Sequence, residues 1–167
     1  MKRGYLFCII VFISIFMFGC NLGAPNSEPG MIGKVTDRNE SRILVVATVI
    51  NDYSSNGGVA EHYNAIWFSN IPESIQLGDE VKVWYDLVME SYPGQSEAKY
   101  VEVVQSLQPE GAALTESEAL NEALKSLEPN MATAVRTIEY DNNANIWQVK
   151  LKNIMDDEEF EIEVEDK

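Results

Sequence analysis

From Glu80 to Leu87 the apolar residues Val81, Val83, Tyr85 and Leu87 fall at every second position. A period of two over this length fits a strand with one buried face and does not fit a helix. Gly78-Asp79 in front of it is a turn signal. Upstream of the turn, Ala65 to Ser69 reads as a second strand. Each run carries a tryptophan, Trp67 in one and Trp84 in the other. The stretch from Ala65 to Gln95 therefore predicts a hairpin of a small β-barrel or sandwich and marks the core. It carries no catalytic constellation.

Further strand signals surround this hairpin. Met31 to Thr36 is short and followed by the turn Asp37-Arg38-Asn39-Glu40. Ser41 to Ile50 is rich in Val and Ile and apolar on both faces, as in a central strand covered on both sides. Tyr63 to Ser69, Glu80 to Glu90 and Lys99 to Leu107 complete five strands. Pro72 keeps Ile71 to Gly78 out of any central strand. Asn51 to Gly58 and Ser91 to Ala98 read as loops. Five strands joined by short turns predict a small five-stranded OB-like β-barrel over residues 30–108.

Gln108-Pro109-Glu110-Gly111 interrupts the pattern, and the periodicity then changes. Thr115 and Glu118 have the spacing of a capping box. Ala119, Leu120, Ala123, Leu124 and Leu127 follow at helical spacing, and Pro129-Asn130 stops the helix. Three strands come next, Ala132 to Tyr140, Ile146 to Lys152 and Glu159 to Glu165. Residues 113–167 thus predict a helix and a three-stranded antiparallel meander, and the whole chain an α+β fold. A unit of this size is marginal alone, so it is expected to lean on the barrel.

The N-terminus is of another kind. Lys2 and Arg3 precede an apolar run from Tyr5 to Phe18 broken only by Ser14, and Gly19-Cys20 ends it. A basic start, an apolar stretch and a small residue describe a secretory signal over residues 1–19. The run is shorter than the roughly 20 residues of a membrane span. A short uncleaved anchor is the alternative. Gly19-Cys20 resembles the lipobox of bacterial lipoproteins, with Met17 and Phe18 departing from the usual Leu and small residue. The resemblance implies cleavage before Cys20 and a diacylglycerol thioether on its sulfur. The other cysteine, Cys8, lies inside the signal, so the mature chain forms no internal disulfide. Residues 20–29 then read as a flexible tether, and the protein sits lipid-anchored at the extracytoplasmic face of the cell membrane.

Without Lys2 and Arg3, ten basic residues face 27 acidic ones, a net charge of −17. Such a chain is repelled by nucleic acid, and the balance reads first as a solubility device. His62, the one histidine, is too isolated for a metal site or a triad and reads as a residue at the edge of a strand. Asp141 to Asn145 begins like a calcium loop, but Ile146 and Lys152 stand where Gly and Glu are needed, so it reads as a hairpin turn. The acidic run Asp156 to Glu159 reads as a solvated turn. No phosphate loop or hydrolase motif is present. These absences point to no catalytic residues, no cofactor and no metal.

The aromatics of the barrel segment read first as packing. The sharper reading makes Trp67, Trp84, Tyr85 and Tyr92 a ligand-binding surface for a peptide or carbohydrate.

Two resemblances follow from particular residues. Gly33, Ile43 to Val46, Ala65 to Phe68, Gly78-Asp79-x-Val81-x-Val83-Trp84 and Ser91 to Gln95 resemble the YobA-type lipoproteins of Gram-positive bacilli. That resemblance implies an uncharacterised OB-like domain and an envelope location. The segment from Leu114 to Lys167 looks like a PepSY-type unit, on Glu118 to Leu124, Trp147-x-Val149 and the closing strand. It implies protein binding or protease inhibition. Together these predict a binding module of the cell envelope whose partner is an envelope protein, peptide or carbohydrate. The alternatives are a hydrolase built on a carboxylate pair and a PepSY-like protease inhibitor.

Overall fold

The computed structural model describes residues 25–39, 41–129 and 131–167. The signal segment, Cys20 and the start of the tether lie outside these residues. Within them, β1 (Met31–Arg38), β2 (Ile43–Asn51) and β3 (His62–Ser69) form an antiparallel meander. β4 (Glu80–Trp84) pairs with the free edge of β1, and β6 (Tyr100–Val103) with β4. β5 (Gly94–Glu97) runs parallel to β3. The resulting sheet has six strands in the order β5-β3-β2-β1-β4-β6 and is not closed.

This corrects the expected five-stranded OB-like barrel. The run from Glu80 to Glu90 ceases to be a strand at Trp84, whose carbonyl accepts from the Lys99 amide. Leu87, placed on the buried face by its spacing, is 84% exposed. The segment after it folds back, and the Met89 amide donates to the Gln95 carbonyl at 2.8 Å. The sixth strand, β5, lies in Ser91 to Ala98, which reads as a loop. Its residues Gly94, Gln95, Ser96 and Glu97 have no apolar alternation, and it is held through backbone pairing. The α+β expectation is corrected as well. The described residues are mostly β, with 45% of them in strands and one short α-helix among them.

The helix α1 (Glu116–Lys125) begins where the capping box places it. The Thr115 hydroxyl accepts from the Glu118 amide, and the Glu118 carboxylate accepts from the Thr115 amide. Its apolar stripe, Leu120, Ala123 and Leu124, lies on Val149 and Leu151 of a second, three-stranded sheet. That sheet is β7 (Thr133–Asp141), β8 (Ile146–Asn153) and β9 (Glu159–Glu165), all antiparallel. The turn from Asp141 to Asn145 joins β7 to β8, and the Asp141 carboxylate accepts from the Asn143 and Ala144 amides.

β2 explains how the sheets meet. Ile43 and Val45 face one core with Val35, Phe68, Val81 and Val83. Leu44 and Val46, on the opposite face, pack with Tyr63, Ala65 and Ala134 of β7. Ile43 to Val46 are therefore covered on both sides, as the apolar run predicts, while Val49 and Ile50 further along β2 are exposed. Lys34 adds a buried polar joint, with Nζ 3.0 Å from Glu80 and 2.6 Å from Glu116. Gly78 adds another, since its amide donates to the Val35 carbonyl while its backbone lies against α1. Asp166 closes the second sheet over the entry to the helix. Its carboxylate accepts from the Ala113 and Leu114 amides and from the Trp147 indole.

Candidate binding groove where the two sheets meet

The four aromatic residues singled out in the sequence do not form one surface. Trp84 is buried, its indole N–H donates to the Ser27 carbonyl, and its ring meets Tyr100. It thereby pins the last residues before β1, in the segment that reads as a tether. Tyr85 packs on Phe68 and donates to the Gly30 carbonyl. Trp67 is half-buried, with the Arg42 guanidinium 5.3 Å from its ring centre, beside Leu87 and Met89. Tyr92 stands elsewhere, 41% exposed, at the seam between the sheets.

At that seam lies a groove of about 530 Å³. One wall comes from the start of β3 and the loop before it, with Val59, Glu61, His62 and Tyr63. The other comes from the end of β8 and the turn after it, with Lys152, Met155 and Asp157. The β2–β3 pairing turns the first wall inward, since Asn51 pairs with His62 and Ile50 with Tyr63. Asp157 has φ +64°, a left-handed conformation that aspartate tolerates. From there its carboxylate reaches Lys152.

Five charges run in alternation across the seam. Asp157 and Glu61 both accept from Lys152 Nζ, at 2.8 and 2.9 Å. Arg136 of β7 pairs with Glu61 at 3.0 Å and also with Glu159. The bonds to Lys152 and the charges of Lys152 and Arg136 outweigh desolvation and hold the Glu61 carboxyl below its ordinary range. Bonds to Asp157 and then Glu61 push the Lys152 ammonium up. A carboxylate kept ionised by a lysine is a poor general acid. The arrangement suits holding a ligand.

An aromatic row borders this ionic chain. The His62 ring lies 5.5 Å from Tyr53 and 5.2 Å from Tyr92, and the Tyr92 hydroxyl donates to the Tyr63 carbonyl. Tyr63 is 3% exposed, and its own hydroxyl has no hydrogen-bond partner among the described residues. Burial is the main cause that raises its pKa.

Of this site the sequence reading names Tyr92 as a ligand residue. His62 reads there as a strand-edge residue and Asp157 and Glu159 as a solvated turn. Lys152 enters only as a misfit in a calcium loop. Glu61, Tyr63 and Arg136 come together only through the contact of the two sheets, and no local spacing announces it. The one usable signal is Lys152, a lysine followed closely by four acids.

Residues 32–105 match the family model described as a protein of unknown function (DUF3221). The match spans the six-stranded sheet and supplies no activity. No curated protein and no solved structure matches the chain.

Proposed function

We propose that this protein is a lipid-anchored envelope lipoprotein whose folded part is a non-catalytic binding module, with the seam groove as its binding surface. The observation that carries the binding half is the groove itself. An aromatic row that includes the 41% exposed Tyr92 and a paired ionic chain converge at one seam. Concave surfaces with aromatic walls and a few placed polar groups are the usual form of binding sites. The Gly19-Cys20 lipobox and the likeness of the first sheet to YobA-type lipoproteins support the envelope location. The PepSY likeness of the second sheet and its helix supports a protein or peptide partner over a carbohydrate one.

The hydrolase alternative needs a carboxyl raised toward neutrality beside a second one. Glu61 and Asp157 do converge, but on Lys152, which lowers Glu61.

The test is retention on the envelope. Immobilised mature protein is exposed to detergent-solubilised envelope and to cell-wall fragments. The wild type retains a component, and Tyr92→Ala combined with Met155→Ala loses at least 90% of it. Retention that is absent, or unchanged in the double variant, overturns the reading. Met155 is 59% exposed and Tyr92 41%, and circular dichroism of the double variant checks that the fold survives the change.

A further inference from the structure

The way charge is layered in the groove identifies the chemistry of its occupant. The two cations lie low. The Lys152 side chain is 10% exposed and that of Arg136 30%. The carboxylate of Asp157 stands at the rim, 79% exposed, and that of Glu159, 63% exposed, follows next along the ionic chain. Each cation is already bonded to two carboxylates, so neither is free for an anion. Asp156 and Glu158 add two more exposed acids to the same turn. An approaching ligand therefore meets negative charge first, over a floor whose positive charge is neutralised.

The surroundings favour a cation on an alkyl stem. The Tyr92 ring, 41% exposed, offers a face on which an ammonium or guanidinium can sit. Val59 and Met155, both exposed, line the groove and suit methylene packing. We infer that the groove binds a basic peptide segment, one that presents lysine or arginine side chains to the carboxylate rim and the Tyr92 ring. The inference rests on the groove being the binding surface. It also gives part of the chain's acidity a use beyond solubility.

The experiment is fluorescence anisotropy of the full mature protein with a labelled tetralysine peptide. The same peptide with all four ammonium groups acetylated serves as control. Wild type binds the lysine peptide at least tenfold more tightly than the acetylated one, and rising salt weakens it several-fold. Asp157→Asn with Glu159→Gln lowers affinity at least fivefold. So does Tyr92→Leu, which leaves every charge in place. Glu73→Gln with Glu110→Gln, both exposed on loops outside the groove lining, leaves binding within twofold. Circular dichroism confirms the fold of each variant. Equal binding of the acetylated peptide, no binding at millimolar concentration, or equal weakening by the Glu73 and Glu110 pair overturns the inference. If envelope retention through the groove persists while the lysine peptide fails, the groove binds a ligand of other chemistry. If both fail, the groove is no binding surface.

Discussion

Gly78→Ala should lower the thermal unfolding midpoint of this protein by about 10 °C or more, through a single added methyl group. Gly78 has φ +92°, and a Cβ there would stand 2.3 Å from the Ser117 carbonyl oxygen and 2.9 Å from the Asn121 amide nitrogen. Both are backbone atoms of α1 and cannot swing aside. The Asn121 side chain also donates to the Leu77 carbonyl, so the connector is fastened to the helix on both sides of the contact. The left-handed backbone costs a non-glycine residue about 1–3 kcal/mol, and the forced overlap costs a similar amount, about 1–3 kcal/mol. Circular dichroism during a thermal scan reads the shift directly. A midpoint within about 2 °C of wild type, less than 1 kcal/mol in a domain of this size, would mean that the connector does not sit on the helix as described.

Trp147→Ala comes next. Trp147 is 2% exposed, in contact with the Tyr140 ring, and its indole N–H donates to Asp166. Removing a fully buried tryptophan costs about 3–5 kcal/mol through lost burial and the cavity left behind. Trp147→Phe separates the causes, since it keeps most of the ring and removes the donor, at about 1–2 kcal/mol. The loss in the Phe variant should also depend on pH. Desolvation raises the Asp166 carboxyl, but the Ala113, Leu114 and Trp147 donors outweigh it and hold the group below its ordinary value of 3.8. Stability from Asp166 is therefore complete above that value and lost as pH falls through the lowered one. The difference between wild type and Trp147→Phe in urea unfolding should shrink as pH drops below 3.8. A difference that stays constant down to about pH 2 would remove Asp166 from the account.

The fold was legible wherever side-chain chemistry repeats locally. The alternation of Trp147, Val149 and Leu151 placed β8, and the Thr115–Glu118 spacing placed the start of α1. The apolar run of β2 announced a strand covered on both faces at Ile43 to Val46. Legibility ended where backbone geometry or distant contact decides. β5 has a parallel partner in β3 and no alternation, so Gly94 to Glu97 looks like a turn. Leu87 has the right spacing for burial, but the strand has already ended at Trp84. The groove is harder still. Glu61, Arg136 and Lys152 sit in three separate stretches, and only the packing of Ala134 against Leu44 and Val46 brings them together. Aromatic content pointed to Trp84 and Tyr85 as readily as to Tyr92, although the first two are core. Exposure separates them, and composition carries no measure of exposure.

What the groove can meet depends on where the protein is held, and in the proposed lipoprotein Cys20 decides that. In the proposed lipoprotein, Tyr5 to Phe18 and Gly19 form the signal, and Cys20 would be the one cysteine left after cleavage. Each buried methylene of an acyl chain contributes about 0.8 kcal/mol, so two chains hold firmly where one would not. Fractionation cannot decide the matter, because an uncleaved precursor would stay at the membrane through its apolar segment. Metabolic labelling with a radioactive or clickable fatty acid decides it. Wild type should take up label and Cys20→Ser should take up none, with the variant migrating as the longer precursor. Equal labelling of the two forms, or none in wild type, would contradict the lipid anchor and with it the envelope as the setting for the groove.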